Sequence, residues 1–148
     1  MKKDYLKKIC LLLLVLIFGY NVPKSSGKIH SSKTVEYFTE VEEIPILNKE
    51  NVLIILKCKN IPHPEIVLRQ SILETGHYKS KLCRTHNNIF GIRKNNKYAK
   101  YNSWVECIDD YKKRITSRYK GGDYYNFLKR INYAEDDTYI NKLKQIKV

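Results

Sequence analysis

Two residues that punctuate helices bracket the stretch from 64 to 76. Pro64 suits a first helical turn, where a backbone N–H has no intrahelical use, and Gly76 is a natural stop just past a helix end. Between them, Ile66, Leu68, Ile72 and Leu73 supply apolar surface for burial. Val67, Gln70 and Glu74 follow one another at i, i+3 and i+7 and so share a face. The pattern predicts a helix over 66–75 with Glu74 in its last turn.

That glutamate is isolated. The next acid is Glu106, and the 31 residues between them, Thr75 to Val105, hold seven Lys or Arg and no Asp or Glu. The unpaired carbonyls of a last turn carry partial negative charge, which disfavours an ionised carboxylate, and partial burial adds to the effect. A carboxyl kept protonated near neutral pH can serve as a general acid. The nearby cations pull the other way, and a solvated Glu finishing a helix is the plain alternative.

The flanking chain reads as further helices around one hairpin. Asn48 caps a helix from Lys49 to about Lys59, apolar at Val52, Leu53, Ile55 and Leu56. Ile61-Pro62-His63-Pro64 breaks the chain, with His63 as turn surface. After Gly76 comes a long basic connection. A hairpin is expected over 89–101, turning at Asn95-Asn96, which tolerate left-handed backbone; Gly91 permits close backbone approach. Ser103-Trp-Val-Glu106 fits a capping box. The helix it opens carries an apolar stripe at Val105, Ile108, Tyr111, Ile115 and Tyr119 and is expected to run to Gly121-Gly122. Asp123 caps a short helix with Tyr124, Phe127, Leu128 and Ile131 inward. A last helix, capped by Asp136 or Asp137, has Tyr139, Leu143 and Ile146 on one face.

Residues 1–27 read as a signal peptide or N-terminal anchor. Met1 to Lys8 carries four Lys against one Asp, and Ile9 to Phe18 is an apolar run of ten. That length suits a signal-peptide core and is short of the roughly 20 residues of a membrane span. The expected location is therefore exported: periplasmic, cell-envelope or secreted, with membrane contact only through an uncleaved N-terminal segment. Residues 28–47 read as a linker and arm, and 48–148 as one domain with a core of its own. The net charge is +13, or +9 once the five Lys and one Asp of residues 1–27 are set aside. Such a domain suits a polyanion such as cell-wall polymer, nucleic acid or a membrane surface.

Export permits disulfides. Setting aside Cys10 leaves Cys58, Cys83 and Cys107, for which a Cys83–Cys107 bridge is conceivable and Cys58 reads as a small hydrophobe in its helix. His77 and His86 match no metal-ligand spacing, so no metal or other cofactor is expected.

Four motifs in order then point to a family. Gln70-Ser-Ile-Leu-Glu74-Thr-Gly76, Asn87-Asn88-Ile-Phe90-Gly91-Ile-Arg93, Tyr101-Asn-Ser103-Trp-Val-Glu-Cys-Ile-Asp-Asp-Tyr111 and Tyr133-Ala134-Glu-Asp-Asp-Thr-Tyr139 resemble the glucosaminidase domain of bacterial cell-wall hydrolases, which is related to the flagellar rod muramidase. The resemblance implies a lysozyme-like α+β domain, mainly α, of about five helices with a short β-hairpin beside the cleft. It implies a peptidoglycan hydrolase that cleaves a β-1,4 glycosidic bond next to N-acetylglucosamine, with Glu74 as general acid and Tyr133 beside it. Gln70, Asn88, Phe90, Tyr101 and Tyr139 are the expected substrate-binding residues, and peptidoglycan glycan strands the partner, with no nucleic acid. Many members carry a second acid in the β-lobe; here that lobe has none. Asp136, Asp137 or the substrate's acetamido group are the candidate replacements. The alternatives are a non-catalytic cell-wall-binding module on the same fold, or a basic nucleic-acid-binding domain.

Overall fold

A computed structural model describes residues 44–148. The targeting segment, Cys10, and all but the end of the linker and arm lie outside these residues. Six α-helices and a two-stranded antiparallel sheet make up the described part. This is the expected mainly helical α+β class.

Helix α1 (Lys49–Cys58) starts at Asn48, whose Oδ1 accepts from Asn51 N at 2.8 Å. Helix α2 (Pro64–Thr75) has the expected proline in its first turn and ends at Gly76 in left-handed backbone, φ 55°. The two helices pack together, and α2 also packs against the final helix. Val52 and Leu56 of the first and Val67 and Leu68 of the second are buried.

The basic connection after Gly76 is not all loop. Ser80 accepts a hydrogen bond from Cys83 N and opens helix α3 (Lys81–His86). One buried residue, Cys83, anchors this short helix, so it has no apolar period to show in the sequence. Strands β1 (Arg93–Lys94) and β2 (Lys97–Tyr98) form the hairpin, and Asn95 and Asn96 turn it with φ 49° and 60°.

Helix α4 (Trp104–Arg114) opens with the capping box: Ser103 Oγ accepts from Glu106 N at 3.2 Å. The Glu106 carboxylate accepts in return from Asn102 N and Asn102 Nδ2, both at 3.0 Å. The helix stops earlier than the stripe predicts, passing through a 3₁₀ turn over Thr116–Arg118. Ile115 and Tyr119, on either side of that turn, still pack on the core. Helix α5 (Tyr124–Arg130) is capped by Asp123 as expected. Helix α6 (Tyr139–Gln145) starts after Thr138 instead of after an Asp. Asp136 supports the preceding turn, where its Oδ1 accepts from Thr138 N and Oγ1.

Tyr111, Ile108, Phe127, Leu128, Ile89 and Leu143 are fully buried and tie α4, α5, α6 and the β-lobe into one core. Cys83 and Cys107 are buried free thiols, so the conceivable bridge between them is not made. Cys58 is half-buried.

Candidate active site

Glu74 sits where α2 ends, half-buried at the wall of a cleft of about 610 Å³. Ile92, Ile115, Ile131 and Tyr133 line the cleft with Arg93, Arg114 and Arg118, and among the described residues Glu74 is the one carboxyl in that lining. Burial raises the Glu74 carboxyl above its ordinary range, and a hydrogen bond from Tyr139 partly opposes the shift.

That bond joins Tyr139 Oη to Glu74 Oε1 at 2.9 Å. It ends a buried relay. Gln70 Nε2 donates to Tyr139 Oη at 3.4 Å, and Tyr111 Oη donates to Gln70 Oε1 at 2.6 Å. Tyr124 Oη lies 3.1 Å from Tyr111 Oη. Because Tyr111 spends its proton on Gln70, Tyr124 donates, and the phenol and amide donors of the relay point toward Glu74. Linked donors polarise one another and hold the carboxyl in one rotamer.

The other side of the carboxyl is set by Gly91, at φ 64°. A Cβ there would lie 3.2 Å from Glu74 Oε2. The close approach anticipated from sequence is thus an approach to the glutamate itself. Tyr133 stacks beside Tyr139, ring centroids 5.6 Å apart, and donates to the Phe90 carbonyl at 3.2 Å. Burial pushes the Tyr133 and Tyr139 phenols upward. Both therefore stay protonated and act as donors.

The resemblance puts Tyr133 and Tyr139 beside Glu74, with Tyr133 the closer and Tyr139 on the substrate; instead it is Tyr139 that bonds the carboxyl, 7 % exposed and outside the cleft lining, while Tyr133 lines the cleft and bonds Phe90 O. The remaining candidates sit differently. Gln70 is 0 % exposed and Asn88 1 %, so neither reaches the cleft surface. Gln70 is a link in the relay. Asn88 clamps the hairpin base: its Nδ2 donates to Ile92 O and Ala99 O, and its Oδ1 accepts from Ile92 N. No part of that amide is left for a sugar. Phe90 belongs to the cleft wall but is 3 % exposed, with its ring against Tyr111 at 4.2 Å. It packs the core and offers no open face for stacking. Tyr101 lies outside the cleft lining and donates to Asp110 Oδ2 at 2.8 Å.

Asp136 and Asp137 are exposed, and neither lines the cleft. Lys142 and Thr138 hold the Asp136 carboxyl down at about 2, which makes it a weak base. The three cleft arginines carried no sequence signal, because they are scattered among 28 Lys and Arg.

A family described as Glucosaminidase, mannosyl-glycoprotein endo-beta-N-acetylglucosaminidase, matches residues 50–147, a span that contains the entire cleft. No curated protein and no solved structure matches the chain. With the match extending over well more than half of its 148 residues, this chain belongs to the glucosaminidase family.

Proposed function

We propose that this protein hydrolyses a β-1,4 glycosidic bond next to N-acetylglucosamine in peptidoglycan, with Glu74 as general acid. The observation that carries the reading is Glu74 itself: a half-buried carboxyl, raised above its usual range, and the one acid among the described residues that line a cleft of about 610 Å³. The protonated carboxyl gives its proton to the leaving glycosidic oxygen as the C–O bond breaks. Tyr139 then donates to the carboxylate that results.

Among the described residues the cleft lining holds no second acid, which favours a route in which the substrate supplies the nucleophile. The acetamido oxygen of the sugar attacks its own anomeric carbon and forms a cyclic oxazolinium. Glu74, now ionised, takes a proton from water, and that water opens the ring at the anomeric carbon. This route predicts net retention of configuration. Tyr133, its phenol neutral, forms a wall beside the acid. The charge-then-apolar order of residues 1–18 supports a site of action outside the cytoplasm. Fusing residues 1–30 to a reporter that is active only after export tests this, and an inactive reporter refutes it.

Incubating the protein with purified sacculi tests the activity. Soluble muropeptides establish a hydrolase, and analysis of their new ends identifies the bond. Co-sedimentation without release means a wall-binding module, and neither outcome leaves a polyanion binder of another kind.

A further inference from the structure

The three arginines of the cleft differ in what already occupies them. Arg114 commits its Nε to both Asp110 oxygens, at 2.9 and 3.0 Å. Asp110 is also shared with Lys94 at 3.3 Å. Burial alone would raise the Asp110 carboxyl, but the donors on Tyr101, Arg114 and Lys94 outweigh it and hold it below its usual range. Arg93 donates to Asn96 O at 3.0 Å and lies over the Tyr98 ring. The Arg118 guanidinium has no hydrogen-bond or ion-pair partner among the described residues. It lines the cleft four residues on from Arg114, at the end of the 3₁₀ turn over Thr116–Arg118.

The lining therefore offers three guanidinium groups against one carboxyl, and that carboxyl is disposed to be neutral. A neutral N-acetylglucosamine chain has nothing that needs such a surplus. A planar guanidinium with its donors free matches a carboxylate through paired N–H···O bonds. The geometry points to a carboxylate-binding subsite in this cleft, with Arg118 as its principal donor, so that the enzyme favours carboxylate-bearing glycan over neutral β-1,4-linked N-acetylglucosamine. The inference deepens the glycosidase reading and rests on it. In peptidoglycan the carboxylate has two sources: the stem peptide, or the lactyl group of a muramic acid from which the peptide has been removed.

The test compares wild type with Arg118→Gln on three substrates: peptide-bearing strands, strands stripped of peptide, and stripped strands whose carboxyl groups are reduced to alcohols. Lys129→Gln, a charge change at an exposed side chain that is not part of the cleft lining, controls for net charge. The expected result is a fall of about 10- to 100-fold in kcat/KM for Arg118→Gln, about the worth of a charge-assisted bond, expressed mainly in KM. It should appear on strands that carry the relevant carboxylate and vanish on the reduced ones. A fall confined to peptide-bearing strands assigns the stem peptide, and one on stripped strands assigns the lactyl group. Equal falls on reduced strands, or no fall on any, overturn the subsite and leave the hydrolase standing. If wild type cleaves nothing, calorimetric binding of the same strands decides separately. Carboxyl-dependent binding lost in Arg118→Gln keeps the subsite without the enzyme, and carboxyl-independent binding or none overturns both.

Discussion

The two walls of the cleft are built on opposite terms. On the helical wall, Glu74 is held by Tyr139, Tyr139 by Gln70 and Gln70 by Tyr111, and Gln70 and Tyr111 are completely buried. Among the described residues no buried side-chain polar atom lacks a partner. On the arginine wall, the guanidinium groups are exposed, and one has no partner at all among the described residues. A satisfied buried network fixes geometry and tolerates little change. An exposed cation contributes little to folding and keeps its capacity for something that arrives. The first wall thus reads as chemistry and the second as recognition.

Substitutions on the helical wall should break function without breaking the fold, and Glu74→Gln is the strongest case. Loss of a general acid costs about 10²–10⁴-fold in rate. Turnover near wild type on sacculi, with unchanged circular dichroism, would falsify the catalytic assignment. The same variant has a stability signature. Burial holds the Glu74 carboxyl in the folded state above the ordinary glutamate value that it has in the unfolded chain. Between those two values the native state binds more protons than the unfolded state, so stability falls as pH rises through that window. Glu74→Gln removes the fall. Its Tm should match wild type below about pH 4, under the ordinary carboxylate pKa, and exceed it at pH 7, as calorimetry at both values would show.

Gly91→Ala attacks the same carboxyl from the hairpin side. The new Cβ meets Glu74 Oε2 at 3.2 Å and must also accept φ 64°. Left-handed backbone costs an alanine about 1–2 kcal/mol, and a misplaced catalytic group costs up to about 10²-fold in rate. We expect a lower Tm together with a fall in kcat of about 10–100-fold. A fall in Tm alone would mean that Glu74 tolerates the push.

Tyr139→Phe should act more gently and in a distinctive way. It removes the donor that lowers the Glu74 pKa and leaves burial, which raises it. The alkaline limb of the pH profile of kcat/KM, which reports the acid in the free enzyme, should move to higher pH. Gln70 Nε2 also loses its acceptor, at a cost of about 1–3 kcal/mol in stability. An unshifted limb would show that Tyr139 does not govern the acid.

What sequence could disclose divides along the same line. Gly76, Asn48, Ser103 and Asp123 were legible because a cap depends on residues three apart in the chain. Glu74 stood out because it was alone among cations. Gln70 was correctly placed on the face of Glu74, but helical spacing gives a direction and not a depth, and it points under the cleft instead of into it. Asn88 was read as a sugar contact because an amide looks the same whether it meets a ligand or three backbone groups. Arg118 was invisible, since an exposed arginine with no partner among the described residues looks the same in sequence as Arg93 and Arg114, which have one.

The smallest effect belongs to the carboxylate that counting would have chosen as the second catalytic acid. Glu106 is exposed, lies outside the cleft lining, and accepts from Asn102 N and Asn102 Nδ2 at the start of α4. Glu106→Gln retains one carbonyl oxygen for Asn102 N but sets an amide donor against the Asn102 side chain and removes a charge from the first turn. A helix N-terminus favours that charge by about 0.3–1 kcal/mol, so Tm should drop slightly. Activity should stay within about twofold, because about 1.4 kcal/mol is needed for tenfold and nothing at this site touches the cleft. A loss of about a hundredfold, the scale of a missing base, with Tm unchanged would place a second carboxylate in the reaction. It would also displace the acetamido route, since a second carboxylate that activates water or attacks the anomeric carbon itself leaves the acetamido oxygen no part as nucleophile.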